Sequence, residues 1–201
     1  LGRLDVALTE PGAEPDPDPE PEPDPDPDPE PAPEPQTPQA RVFLAEGLGM
    51  ALTDAAEVFG RSGAGERVFL DDGVAGVRLD ANLERMDLAT PFDALDFAVR
   101  DDGLAITEGG TTLASLPSLN QDLALHFGDG SATLRQTGAQ RFELAGGDGG
   151  TATIGPDGAD TGPVDLGGEP AEAPAGNGPA GSVFLNADGR FTLADPAEVI
   201  G

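Results

Sequence analysis

The feature that most restricts how this chain can fold is an acidic, proline-rich run near its start. Residues 10–38 read EPGAEPDPDPEPEPDPDPDPEPAPEPQTP and hold thirteen of the 21 prolines together with eleven carboxylates. Proline removes a backbone donor and keeps the residue before it out of the α region. The carboxylates repel one another and extend the chain further. We therefore predict a disordered linker over residues 10–40 that acts as a spacer, since a metal-binding loop would have to turn.

The rest of the chain divides by composition around this linker. Residues 1–9 alternate apolar and polar side chains, as the end of a preceding domain would. Residues 41–155 contain most of the large apolar side chains and predict a folded module. Residues 156–181 are mainly Gly, Pro, Ala and acidic side chains, which predicts a second and softer linker. Residues 182–201 return to the pattern of the module.

An internal repeat accounts for that return. RVFLAEGLGMALTDAAEVFG (residues 41–60) and SVFLNADGRFTLADPAEVIG (residues 182–201) align without a gap and share nine identities, so that Val42 matches Val183. This long spacing predicts tandem modules, the second copy being cut at Gly201. A weaker third copy lies at residues 67–88, about 26–27 residues after the first, and a short period of this kind is typical of stacked arcs in a β-solenoid.

Short alternating segments separated by Gly and Asp indicate that the module is all-β. Two hairpins are predicted, one turning at residues 101–103 and the other at residues 128–130. The sole helical signal is a single turn over residues 54–58, where Asp54 is a candidate cap. Strands of this length and spacing predict either a short β-solenoid or a β-sandwich repeat unit.

Composition excludes several classes of function. The net charge is −28, and all ten basic residues are Arg. Binding to nucleic acid or to an anionic membrane surface needs a basic footprint, so neither is expected. The absence of Cys excludes thiol catalysis, zinc–thiolate sites and iron–sulfur clusters. No apolar run has the length of a membrane span, and we expect no membrane insertion.

The sequence also lacks recognisable catalytic motifs. His126 is the one histidine, and the alternation of residues 123–127 places it on the outer face of a strand. The sequence identifies neither a serine partner for His126 nor a third group that would orient it. Phosphate-binding loops and metalloprotease motifs are missing as well. We therefore expect no enzyme activity and assign no catalytic residue.

Oxygen-rich turns make calcium the candidate cofactor. The hairpin tips carry Asp101, Asp102 and Asp129, which could supply carboxylate and carbonyl oxygens to Ca²⁺. Asp and Gly at such tips are also what turn geometry alone requires. Three other acidic residues recur beside apolar ones, and each is expected either to accept backbone N–H groups, to pair with an arginine such as Arg85, or to lie on a solvated strand edge: Glu57, Glu84 and Glu198.

The segments RSGAGERVFLDDGVAGVRLDANLERMDLA (residues 61–89), LHFGDGSATL (125–134) and FELAGG (142–147) resemble repeat modules of large secreted or surface proteins of Gram-negative bacteria. Such modules often accompany RTX-type, type I-secreted polypeptides. The resemblance covers residues 61–147, and DANLERMDL (80–88) is its most specific part. It implies an extracellular, non-catalytic β-module. Unlike calcium β-rolls, the chain contains no GGxGxDxUx nonapeptide.

Two functional classes follow from these features. The first is a structural or interaction module of a secreted or cell-surface protein, with neighbouring repeats and an upstream domain of the same polypeptide as its partners. The second is an accessory domain of an extracellular hydrolase that binds polysaccharide or cell wall. Sugar-binding faces usually present Trp or Tyr for stacking. The chain has neither residue, which favours the first class, with a surface glycan or protein as a further candidate partner.

Overall fold

A computed structural model describes residues 40–61, 65–160, 162–173, 181–185 and 198–200. The preceding-domain strand predicted for residues 1–9 lies outside these ranges. So does the linker predicted for residues 10–40, except for Ala40, where the first strand begins. Within them the prediction of an all-β chain is confirmed. The strands form two mixed sheets, and the helical structure in the described part is one 3₁₀ turn, Phe92–Ala94.

Each sheet contains eight of the described strands. Sheet A consists of β1 (Ala40–Leu44), β3 (Ala56–Phe59), β5 (Val77–Leu79), β7 (Leu95–Arg100), β8 (Gly103–Glu108), β9 (Thr111–Leu116), β15 (Gly181–Leu185) and β16 (Glu198–Ile200). Sheet B consists of β2 (Gly49–Leu52), β4 (Arg67–Leu70), β6 (Arg85–Leu88), β10 (Leu123–Phe127), β11 (Gly130–Gly138), β12 (Arg141–Gly146), β13 (Thr151–Gly155) and β14 (Gly158–Asp160). The strand orders are β16-β15-β1-β3-β5-β9-β8-β7 and β14-β13-β12-β11-β10-β6-β4-β2.

The first six strands pass alternately from sheet A to sheet B, and we call residues 40–88 the wound region. Its strands pair in parallel with the strand two places along the chain. In sheet B, Gly49, Arg67 and Arg85 lie side by side, and they are evenly spaced along the sequence. Strands β9 and β10 continue the winding, since β9 pairs in parallel with β5 and β10 with β6.

Antiparallel hairpins extend both sheets from the wound region. The β7–β8 hairpin is inserted before β9, and strands β10 to β14 form a meander that we call the hairpin region (residues 123–160). Both predicted hairpins are confirmed. Gly103 closes the first with a φ of 127°, and a Cβ there would collide with the Leu116 carbonyl oxygen, so the turn requires glycine at this position.

The core is formed by every second side chain along the strands, because alternate side chains point to the same face of a sheet. In β1 residues 40, 42 and 44 are buried, and β10 follows the same pattern at residues 123, 125 and 127. One continuous cluster of buried apolar side chains is drawn from both sheets. Its largest fully buried members include Phe127, Phe142, Met50, Met86, Leu104 and Ile106. Burial of this surface is the main stabilising contribution to such a fold.

Two local predictions are wrong. Residues 54–58 do not form a helical turn, because strand β3 begins at Ala56 and pairs with β1. The third repeat copy does not stack on the first, because β1 belongs to sheet A and the matching β4 to sheet B. The strands that stack on β4 are β2 and β6, at a shorter spacing than the predicted period. Sequence similarity between β1 and β4 thus reflects a shared strand pattern and not shared position.

Residues 156–160 and 162–173, which lie in the segment expected to be a linker (residues 156–181), run along sheet B. Strand β14 pairs with β13, and residues 162–173, which we call the strap, run over the outer face of the sheet. The partial second copy, residues 182–201, contributes β15 and β16, which extend sheet A beside β1. Described residues on both sides of the expected boundary at 155 therefore contact sheet B.

Candidate functional site

The three candidate calcium ligands lie at two separate hairpin tips. Asp101 and Asp102 are exposed in the β7–β8 turn. Asp129 is in the β10–β11 turn, where its Oδ1 accepts a hydrogen bond from the Phe92 N–H at 2.9 Å. This bond ties the tip to the 3₁₀ turn. Across the described ranges, no group of three or more His, Cys, Asp or Glu side chains could hold a metal ion. The calcium site stays a prediction.

A more connected group of polar side chains lies on the outer face of sheet B. His126 on β10 is flanked in register by Asp87 on β6 and by Ser131 on β11. All three side chains point away from the apolar core, because their strand neighbours, Met86 and Leu125 among them, are buried in it. We call these three residues the polar row. Sequence reasoning did not find Asp87 as a neighbour of His126 because β6 and β10 lie far apart in the chain, whereas Ser131 follows in the next strand.

Each member of the polar row contacts the strap. The Ser131 hydroxyl donates to the Gly167 carbonyl oxygen at 2.6 Å. His126 Nδ1 lies 2.8 Å from the Glu169 carbonyl oxygen, and because a carbonyl only accepts, Nδ1 carries the proton and donates. Asp87 Oδ1 accepts from the Glu172 N–H at 3.2 Å. The polar row therefore acts as a set of anchors for the strap.

Asp87 is the most deeply buried of these groups. Its side chain has no exposed surface, whereas that of Arg85 is 25% exposed. Arg85 Nε donates to Asp87 Oδ2 at 2.8 Å and Nη2 to Oδ1 at 2.5 Å, a bidentate pair. This hydrogen bonding raises the pKa of Arg85 above its ordinary value. The predicted arginine partner of Glu84 thus pairs with a different carboxylate.

The polar row contains the residue types of a Ser-His-Asp triad in a different arrangement. In a triad, the carboxylate accepts from histidine Nδ1, and Nε2 faces the serine hydroxyl. Here Nδ1 of His126 binds a strap carbonyl, the Asp87 carboxylate binds Arg85, and the Ser131 hydroxyl binds another strap carbonyl. The arrangement positions a peptide segment, because the Ser131 hydroxyl donates to the Gly167 carbonyl.

Backbone contacts complete the docking of the strap. Ser131 and Gly167 exchange N–H···O bonds of 2.7 and 3.3 Å, and the Ala171 N–H donates to the Phe127 carbonyl at 2.7 Å. The glycine run at residues 146–150 allows this approach. A Cβ at Gly146 would collide with the Asp165 carbonyl oxygen, and one at Gly150 with that of Pro163. The run therefore gives the strap its path over the sheet.

A polar ladder links the turns that follow β3, β5 and β9. Asp80 Oδ1 accepts from the N–H groups of Gly60 and Asn82, at 3.1 and 3.2 Å. Asn82 in turn accepts from Asn120 Nδ2 at its side chain, 2.7 Å away, and from Gln121 Nε2 at its carbonyl. These bonds satisfy turn groups that have no partner on a neighbouring strand. Asp80 and Asn82, the acceptors of these bonds, lie within DANLERMDL, the most specific part of the sequence resemblance.

The recurring glutamates have three different outcomes. Glu84 Oε2 accepts from the Glu66 N–H at 3.1 Å, so the expected backbone cap is confirmed. Glu57 pairs instead with exposed Arg41, Oε2 to Nε at 3.1 Å. The Glu198 side chain lies outside what the structure describes. The three residues therefore share a sequence pattern without sharing a structural role.

Glu66 is a buried carboxyl that the sequence did not single out. Its side chain is fully buried, and within the described ranges neither of its Oε atoms has a hydrogen-bond partner at bonding distance. Burial and the neighbouring Glu84 carboxyl raise the pKa of Glu66 above the ordinary 4.5. The stability of the wound region is therefore expected to depend on the protonation of Glu66.

Among the described residues, no helix is long and apolar enough to cross a membrane. Comparison with protein-family models, with curated proteins and with solved structures found no match to this chain.

Proposed function

We propose that this chain is a non-catalytic structural and interaction module of a repeat-containing secreted or cell-surface protein. The observation that carries this proposal is that the two copies of the repeat pair with each other. Both copies of the repeat form a two-stranded parallel unit, β1 with β3 and β15 with β16, and the two units join into one sheet. A module that extends its sheet with its own repeated sequence is suited to assembly with neighbouring copies.

The polar groups support the same function. The one histidine, the most buried aspartate and Ser131 of the polar row all bind the strap. The chain from residue 41 onward carries 26 carboxylates and nine arginines, and this excess keeps a module soluble outside the cell. An acidic, proline-rich linker before the module serves as a spacer from an upstream domain. These features, with the resemblance to secreted repeat modules, favour a secreted or surface location.

A second candidate function is an accessory domain that binds polysaccharide. The observation in its favour is an aromatic pair on the outer face of sheet A. Phe43, which is 42% exposed, stacks on Phe59 with ring centroids 4.8 Å apart. Exposed rings can stack on sugar faces. The pair is small and contains no Trp or Tyr, so we place this function second.

Sedimentation with insoluble polysaccharides separates the two functions. The wild-type chain and a Phe43→Ala variant are mixed with cellulose, chitin and peptidoglycan, and the bound fraction is measured. A structural module is expected to stay in the supernatant in every case. Retention of the wild-type chain by one polysaccharide, lost in the Phe43→Ala variant, would favour the accessory domain. An Asp122→Ala variant, altered on sheet B, is the matched control.

A further inference from the structure

The two repeat copies pair with each other in a symmetric register. Strand β1 runs antiparallel to β15, and Val42 lies opposite Val183. These two valines are equivalent positions of the repeat. On either side of them, Arg41 lies opposite Phe184 and Phe43 opposite Ser182. Arg41 thus faces the residue equivalent to Phe43, and Phe43 faces the residue equivalent to Arg41. This is the pairing of two equivalent strands related by a twofold axis that passes between Val42 and Val183.

The next strands outward in the sheet, β3 beside β1 and β16 beside β15, follow the same symmetry. Val42 pairs with Val58 of β3, and Val183 with Val199 of β16, both in parallel and both at the same separation along the chain. The four-strand order β16-β15-β1-β3 is therefore the same two-strand unit placed twice, related by a half turn. A continuing solenoid would instead stack its copies in parallel by translation, with equivalent residues on each strand side by side.

We propose that β1 is a homotypic docking edge, which binds the β1-equivalent strand of another copy of the module antiparallel, with Val42 on the twofold axis. This inference rests on the proposed function as a repeat module, and it specifies how the modules meet. An unpaired strand edge presents a row of N–H and C=O groups that another strand can complete. When the incoming strand has the same sequence, each of the two strands satisfies the other's free N–H and C=O groups in the same way, since a twofold contact is self-complementary.

The core beside this edge favours an occupant of the same sequence. Ala40, Val42 and Leu44 are 1%, 0% and 4% exposed, although β1 is the first strand of the winding. A docked copy brings the same apolar alternation to the other side of the axis, so that the core continues across the edge. A twofold contact is closed after two members. Modules that use it therefore join in head-to-head pairs and not in an endless stack.

The register is tested first within the chain by cysteine pairs, which report cleanly because the wild-type chain has no Cys. Register partners in an antiparallel pair lie about 4.5–5.5 Å apart at Cα, within the range of a disulfide. We expect Arg41→Cys with Phe184→Cys to form an intramolecular disulfide under mild oxidation. The matched control, Phe43→Cys with Phe184→Cys, joins equivalent residues and is expected to remain reduced. The reverse result would overturn the twofold register.

The edge is tested next by removing its occupant. Val183→Pro with Phe184→Pro removes one N–H on each side of β15, because consecutive residues of a strand point their N–H groups to opposite sides. The freed β1 edge is expected to make the variant of the 201-residue chain dimerise, as measured by sedimentation velocity. Val183→Ala with Phe184→Ala keeps the backbone donors and is expected to remain monomeric. A folded proline variant that stays monomeric at its highest soluble concentration would overturn the docking edge.

The dimer has its own register test. In a pair with Val42 on the axis, Arg41 of one chain faces Phe43 of the other. Proline variants that carry Arg41→Cys or Phe43→Cys are expected to cross-link when mixed and not when either is oxidised alone. Cross-linking of Arg41→Cys with itself would contradict the register. If the proline variant fails to fold, the intramolecular pairs decide the proposal, and binding to a polysaccharide would overturn the proposed function without touching the edge.

Discussion

The wound region and the hairpin region bury the same kind of apolar core, but different groups hold their turns. In the wound region each strand pairs with the strand two places along the chain, and the side chains of Asp80 and Glu84 accept backbone N–H groups of neighbouring turns. In the hairpin region each strand pairs with the next one, and Gly and Asp close the turns. Winding therefore depends on partly buried polar side chains, whereas hairpins depend on local turn chemistry.

This difference assigns distinct vulnerabilities to the two regions. A buried polar side chain that loses its partner leaves a donor or acceptor without water, which costs about 1–3 kcal/mol. An exposed turn residue has water as an alternative partner. Polar substitutions in the wound region are thus expected to be far more damaging than polar substitutions at the hairpin tips.

The largest effect is expected for Asp87→Ala. The substitution removes both acceptors of the Arg85 guanidinium and the acceptor of the Glu172 N–H. Breaking a buried ion pair typically costs about 3–5 kcal/mol, and we expect about 3 kcal/mol because part of Arg85 is exposed. Urea denaturation measures the free energy of unfolding. Asp122→Ala, which breaks the exposed pair with Arg135, is the control, and an equal loss in both variants would contradict the comparison.

The next effect concerns the strap. Gly146→Ala places a methyl group against the Asp165 carbonyl, and overpacking of this kind typically costs about 1–3 kcal/mol. We expect the strap to detach locally, so that the Ala171 amide loses its protection in hydrogen exchange. Gly155→Ala is the matched control, because a Cβ at Gly155 meets no atom within 4 Å. Equal protection of Ala171 in the two variants would show that the strap does not follow this path.

A smaller, pH-dependent effect is expected for Glu66→Gln. Because the folded-state pKa of Glu66 is raised, the folded protein holds this proton more tightly than the unfolded chain does. The stabilising contribution is complete below the unfolded pKa and is lost as pH rises through the folded pKa. The neutral glutamine can donate to Glu84 at every pH. We therefore expect Glu66→Gln to raise Tm at pH 7 and to change it little at pH 4.

Glu57→Gln provides the control for that experiment. Glu57 is also a glutamate of the wound region, but it lies in an exposed pair with Arg41. A gain in Tm at pH 7 is expected for the Glu66 variant alone. A Tm difference between wild type and Glu66→Gln that does not vary with pH would show that folding does not raise the pKa of Glu66.

The smallest effect is expected for calcium at the hairpin tips. The acidic module repels itself, and any cation relieves this by screening over a Debye length of about 8–10 Å. Sodium, magnesium and calcium at matched ionic strength are expected to raise Tm by similar amounts. The variant Asp101→Ala with Asp102→Ala is expected to respond like the wild type. A saturable shift specific to calcium, lost in this variant, would establish an ion site at the first tip.

The parts of the fold that could be predicted are those with local signals. The turn at Asp101-Asp102-Gly103 has the chemistry of a hairpin, and its strands pair as expected. The pairing of the wound strands could not be predicted, because β4 pairs with β2 and β6 and neither strand adjoins β4 in the chain. The similarity of β1 and β4 also suggested a different repeat period. Pairing between such separated strands is decided by the core and not by neighbouring residues.

The polar row and the strap had weaker signals. Asp87 could have been found from Arg85, two residues before it on the same face of one strand. The strap is poor in large apolar side chains, and its contacts are mostly made by its backbone, so its composition resembled that of a linker. The glycine run at residues 146–150 was the available sign that another segment approaches the sheet closely there.

The most direct test of this account is the hydrogen-bond register of the wound region. Scalar couplings across hydrogen bonds, measured by NMR on the full chain, identify which carbonyl each amide binds. We expect the Arg67 amide to couple to the Leu48 carbonyl and the Arg85 amide to the Glu66 carbonyl, as their N···O distances of 3.1 and 3.3 Å require. Couplings that instead join β4 to β5 as an antiparallel hairpin would contradict the winding.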